Sequence, residues 1–197
     1  MDISYTTAIK GTRVEALRDV FWSKHRFCTP LIDRAIEAFG INWVKDFDLM
    51  LRSLFDSKAK LEYAASGYSS FAINSMRYQK AFERDLIYPK QTYAEAAEKV
   101  YHNHEYMMNE YLPGLLLSHF LWPHHYRQLQ FFHNAFIFPM SLAEKSTFAE
   151  VGIGTTIYSR RVLDAIPSAS GHGYDISRSS CEFALEHIKS IGSMGRY

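Results

Sequence analysis

The chain has 197 residues, room for one or two compact units at roughly 150 residues each, and its net charge of +1 supplies no field to steer it onto nucleic acid or an anionic membrane. Apolar residues at 47% against charged residues at 22% exclude disorder for most of the chain, while aromatics at 15% run high. Cys28 and Cys181 form no CxxC pair, residues 1–5 lack the features of a signal peptide, and no apolar run has the length of a membrane span, so a soluble cytoplasmic protein is expected.

Helix signals dominate residues 1–145. Thr29 and Pro30 place a hydroxyl cap and a proline at a helix start, and Gly40 stands where a left-handed C′ residue belongs, so a short helix is predicted over 31–39. Val44, Phe47, Leu51, Leu54, Phe55 and Leu61 recur at three, four and seven, which predicts a helix with one buried stripe from Trp43 to about residue 65. Gly67 with Ser69 and Ser70 is expected to break it, and a further helix over 71–86 should stop before Pro89. Thr92 and Glu95 have the spacing of a capping box, opening a long helix to about residue 112. Pro113, Pro123 and Pro139 then divide the rest into helices over 114–121 and 124–138.

Composition changes near residue 146. Six of the ten glycines but only five of the thirty aromatics follow it, which suggests a domain over 1–145 and another over 146–197. The period changes too. A short strand over 147–151, a helix over 157–166, a strand over 171–176 and a helix over 178–191 give a β-α-β-α order, the signature of a parallel sheet. The segment Glu150-Val-Gly152-Ile-Gly154-Thr-Thr156 joins the first strand to its helix, and such a crevice is where ligands bind in doubly wound sheets. Glycine lets the backbone turn sharply and a ligand come close. Asp175 lies 21 residues beyond Gly154 (175 − 154), at the end of the second predicted strand, where a carboxylate can accept from both hydroxyls of a ribose.

The segment Phe148-Ala-Glu-Val-Gly-Ile-Gly-Thr-Thr156, followed by Gly173-Tyr-Asp175, resembles the first two motifs of class I S-adenosylmethionine-dependent methyltransferases, over about thirty residues. The resemblance implies that Glu150 helps place the methionine part of S-adenosylmethionine, that Gly152 and Gly154 pass beside the cofactor, and that Asp175 holds its ribose. Thr156 takes the place of the third loop glycine. A nicotinamide or flavin site is the competitor, but its fingerprint needs a small residue where Ile157 stands, and a pyrophosphate gains nothing from Glu150 nearby. The fold implied is an all-helical N-terminal domain followed by the first β-α-β-α of a Rossmann-like parallel sheet. The function implied is methyl transfer to a small-molecule acceptor.

The family's sheet has seven strands, and two strands are too few to be stable alone. Three readings stay open: the chain is the front part of a longer enzyme, a partner or symmetry mate completes its sheet, or the motif is coincidental. The first is preferred, so the chain by itself should bind cofactor weakly and catalyse little or nothing. The alternative to an enzyme is a helical dimerisation or interaction module with a non-binding glycine turn.

Other constellations carry less. Six of nine histidines lie between His102 and His133, but no Glu-x-x-His or H-E-x-x-H pattern occurs, so no metal is expected; a histidine of this group would suit as the acceptor's base. The aromatic run from Tyr101 to Phe138 reads as core or as a homodimer interface. Tyr63, Tyr68 and Ser69, beside the expected break at Gly67, are the candidate lid over substrate. Gly67-Tyr-Ser-Ser-Phe71 is not a nucleophile elbow. Arg160 and Arg161, with Lys10, Arg13 and Arg18, read as solvated helix faces.

Overall fold

The computed structural model describes residues 5–88 and 91–197. Helix α1 (Tyr5–Ile9) leads to α2 (Arg13–Lys24), whose cap is Thr12: its Oγ1 accepts from the Glu15 N–H at 3.2 Å. A 3-10 turn then enters α3 (Thr29–Leu54), with Pro30 in its first turn as expected; Thr29, read as the cap, is corrected, because Cys28 stands at the N-cap and Thr29 lies inside the helix, its buried hydroxyl without a partner among the described residues. Gly40 leaves the helical conformation, at φ +70° and ψ −159°, values only glycine adopts cheaply, so the first helical stretch of α3 ends there as expected and a second follows across the kink. The stripe beginning at Trp43 is buried as expected, but α3 stops at Leu54. Ser57 caps a new helix, α4 (Lys58–Asp85), with its hydroxyl accepting from Lys60 N–H at 3.3 Å.

The predicted break at Gly67 is absent, and α4 runs straight through it. The reason is packing. A Cβ on Gly67 would stand 2.7 Å from Pro113 Cγ and 2.8 Å from the Asn109 carbonyl, and one on Gly114 would collide with the Phe71 ring. The two glycines let α4 and the helix holding Pro113 approach closely. Helix α4 ends at Asp85, with Leu86 left-handed at φ +52°; the predicted stop at Pro89 lies outside the described residues.

The Thr92–Glu95 capping box forms as read: Thr92 N–H donates to Glu95 Oε2 at 2.8 Å, and Glu95 N–H to Thr92 Oγ1 at 3.3 Å. Helix α5 (Tyr93–Ala96) continues as a π turn, Ala97–Tyr101, and is interrupted at His102 and Asn103. A second helical run comprises α6 (His104–Tyr106), a π turn over Met107–Tyr111 and α7 (Leu112–Leu121). The third comprises α8 (Pro123–Phe132), a π turn over His133–Ile137 and α9 (Phe138–Met140). Pro123 begins a helix, as expected. Pro113 and Pro139 instead lie inside helical runs, each two residues after a π turn. A proline has no N–H to give the carbonyl four residues back, and its ring crowds that carbonyl; widening the preceding turn accommodates both.

Residues 146–197 follow the predicted order: β1 (Thr147–Val151), α10 (Ile157–Ala165), β2 (Ser170–Tyr174) and α11 (Arg178–Lys189). The strands pair in parallel, with Thr147 opposite Ser170 and Val151 opposite Tyr174. The architecture is therefore mostly helical with a two-stranded parallel sheet.

The main core joins α2, α3, α4 and α7 around Trp43, Phe47, Tyr68 and Phe120, and it includes Ile157 and Phe183. The composition boundary at residue 146 thus does not interrupt the core. Trp43 Nε1 donates to the Phe120 carbonyl at 2.9 Å, and the Phe47 and Phe120 rings stack with centroids 4.6 Å apart. Fully burying side chains of this size stabilises by roughly 1.5–3 kcal/mol each. Arg160 and Arg161, expected as a solvated face, are corrected: Arg160 is 3% exposed, and Arg161 Nη2 donates to Asp46 Oδ2 at 2.7 Å. Two arginines in sequence carry no sign that their helix faces another helix. Among the described residues no helix is long and apolar enough to cross a membrane.

Candidate functional site

The loop between β1 and α10 is built as the glycines require. Gly152 and Gly154 have φ of +73° and +46°, and Thr156 takes the left-handed region at +54°. The loop amides are taken up internally. Gly152 and Ile153 N–H donate to the Tyr174 carbonyl at 2.7 and 3.2 Å, Gly154 N–H to Asp175 Oδ2 at 3.0 Å, and Thr156 N–H to the Ile153 carbonyl at 2.6 Å. Asp175 Oδ1 accepts from Ser177 N–H at 2.8 Å. Each Asp175 oxygen therefore keeps one lone pair for another donor.

Gly152, Gly154 and Asp175 line one cavity of about 520 Å³ together with Val151, Tyr174 and Ser180. The helical part supplies the remaining wall with Tyr101, Met107, Tyr111 and Leu115. Among the described residues no lysine, arginine or histidine lines it. Burial pushes the Tyr111 hydroxyl above the usual tyrosine range, with the Tyr101 and Asp175 charges adding to it. The space a Cβ on Gly152 would enter is open, with nothing within 4 Å.

Two of the predicted cofactor residues stand apart from this cavity. Glu150 Oε2 accepts from Ser159 N–H at 3.0 Å and from the Ser159 hydroxyl, which ties β1 to the first turn of α10. Burial pushes its carboxyl up, and the two Ser159 bonds partly offset that shift. Thr156 is fully buried, its hydroxyl 3.1 Å from Tyr197 Oη. The candidate lid is corrected as well. With no break at Gly67, Tyr68 and Ser69 turn into the core, Tyr68 accepting from Trp122 Nε1 at 2.9 Å and Tyr63 donating to the Met108 carbonyl. The histidines proposed as a base lie off the cavity, and His119 is buried against Tyr158 and His125 with its pKa pushed down to about 4, first by burial.

One network supporting the loop was not legible in the sequence. His187 is completely buried; its Nδ1 lies 2.7 Å from the Thr155 carbonyl, and Arg160 Nη1 lies 2.8 Å from its Nε2. Arginine only donates, so Nε2 accepts and Nδ1 carries the proton to Thr155. Burial, with the Arg160 charge beside it, pushes the His187 pKa down to about 3. The same Nη1 reaches Ser53 Oγ at 2.7 Å, and Arg160 Nε reaches Asp164 Oδ2 at 3.2 Å. The glycine loop is thereby tied through two side chains to α3. Ser177 Oγ adds a second tie, donating to the Tyr101 carbonyl at 3.0 Å.

Among the described residues no three histidine, cysteine, aspartate or glutamate side chains converge as a metal site. Comparison with known proteins found no matching family model, no curated relative and no similar solved structure.

Proposed function

We propose that the β1–α10 cavity binds S-adenosylmethionine and that the protein transfers its methyl group to a small-molecule acceptor, with β1 and β2 as the first strands of a Rossmann-like sheet. The observation that carries this reading is the convergence of Gly152, Gly154 and Asp175 on one cavity that, among the described residues, holds a carboxylate and no cation. The residues fit a nucleoside without phosphates. Asp175 keeps lone pairs for the ribose hydroxyls, Gly152 leaves open space for close approach, and the aromatic and aliphatic wall suits an adenine ring. A dinucleotide fits worse, because a pyrophosphate needs free amides and the loop amides named above already have acceptors.

When bound, S-adenosylmethionine supplies the electrophilic methyl group. Asp175 orients the ribose, the loop fixes the approach of the cofactor to the backbone, and Tyr101, Tyr111, Met107 and Leu115 keep water from the reacting centre. Glu150 acts at one remove, by holding the first turn of α10 through Ser159.

Calorimetric titration with S-adenosylhomocysteine, with NAD as control, tests the assignment. Weak saturable binding of S-adenosylhomocysteine and none of NAD are expected, and Asp175→Ala should weaken binding about tenfold or more, the equivalent of roughly 1.5–3 kcal/mol for bonds to a charged group. Binding of NAD alone, or an Asp175→Ala variant of unchanged affinity, refutes it. A second reading, a helical interaction module, is favoured by the last turns of α4 and the residues just after it, where Met76, Tyr78, Leu86, Ile87 and Tyr88 stand exposed. A stable dimer in native mass spectrometry with no cofactor affinity would place that reading first.

A further inference from the structure

A second cavity, of about 260 Å³, shares no lining residue with the first. Its walls carry four rings, Phe132, Phe136, Phe148 and Tyr158, and among the described residues its one charged group is Glu150. Phe132 and Phe136 stack with centroids 5.1 Å apart, and Tyr158 meets Phe132 edge-on at 4.9 Å. Glu150 Oε2 is committed to Ser159, and among the described residues no donor reaches Oε1. The volume falls below the roughly 300 Å³ at which drug-sized sites begin, so the occupant is small.

Chemistry narrows it further. An anion would meet the carboxylate and the negative faces of the rings, and a neutral apolar molecule would desolvate Glu150 and give it nothing in return. A cation satisfies both the rings and the carboxylate. A primary ammonium carries three donors and needs as many acceptors, more than the free Glu150 oxygen offers; a methylated ammonium carries few or none. We propose that this cavity is a binding site for a small methylated ammonium ion of about the size of choline, held by the Glu150 carboxylate and the rings of Phe132, Phe136, Phe148 and Tyr158. The site does not depend on the cofactor assignment.

Titration of the whole chain with choline and with its neutral carbon isostere, 3,3-dimethylbutan-1-ol, tests it. Choline should bind saturably and at least tenfold more tightly than the isostere. Glu150→Gln keeps an acceptor for Ser159 but removes the charge, and should reduce that preference to about twofold or less. Phe136→Ala, at a residue that is 47% exposed, should weaken choline several-fold with folding intact, so the test survives if the Glu150 variant fails to fold. Absence of choline binding, equal affinity for the isostere, or an undiminished preference in folded Glu150→Gln overturns the proposal. The S-adenosylhomocysteine titration reads the other cavity, so either assignment can fail alone.

Discussion

Replacing Arg160 with alanine separates what the sequence suggests from what the structure builds. As a solvated helix-face residue Arg160 would be dispensable, since surface substitutions change stability by about 0.5 kcal/mol or less. Its guanidinium is instead buried among His187 Nε2, Ser53 Oγ and Asp164. Truncation removes a charged donor from His187 and leaves a buried imidazole nitrogen without a partner, at about 1–3 kcal/mol for such a group. The Asp164 arm adds little, because that carboxylate is 38% exposed and water replaces the arginine. A total loss of about 1–3 kcal/mol follows. With an m-value of about 2 kcal/mol/M, the urea midpoint should fall by roughly 0.5–1.5 M. Arg178, whose side chain is 92% exposed in its pair with Glu182, is the control, and Arg178→Ala should leave the midpoint where it is. Equal small shifts for both variants would refute the buried network.

Gly67→Ala should destabilise by about 1–3 kcal/mol, because its methyl would press on Pro113 and the Asn109 carbonyl; a wild-type melting temperature would show that the two helices part freely. His119 and His187, with pKa values lowered to about 4 and about 3, stay neutral in the fold at pH values where the unfolded chain takes up protons. Stability therefore falls as pH drops below about 6.5, by about 2.7 kcal/mol for the pair between pH 7.5 and 5.5. Urea midpoints at these two pH values check it, and a midpoint that rises on acidification contradicts the neutral assignment.

The elements whose signals are local were legible in the sequence. The capping box at Thr92, the proline start of α3 and the β-α-β-α order after residue 146 all depend on neighbours within a turn or two. The errors come from contacts distant in sequence. Gly67 reads as a breaker until Pro113 is known to lie against it, and Arg160 reads as solvated until Ser53 and His187 are known to surround it. The site divides in the same way: Gly152, Gly154 and Asp175 meet because a strand pair brings them together, whereas Glu150 follows the alternation of β1 to Ser159 in the first turn of α10. The cavity wall from Tyr101 to Leu115 had no sequence signal beyond a surplus of aromatics.

The π turns ahead of Pro113 and Pro139 make the chain sensitive to its own count of residues. Each residue in an α-helix advances the side-chain direction by about 100°, so deleting one residue from Met107–Tyr111 or His133–Ile137 would tighten the turn, drive the proline ring onto the carbonyl behind it and swing every later side chain of that helix away from its partners. Substitution in these stretches changes one contact, but deletion changes all that follow. Related chains that keep both prolines should accordingly vary there in residue type and hold the length constant.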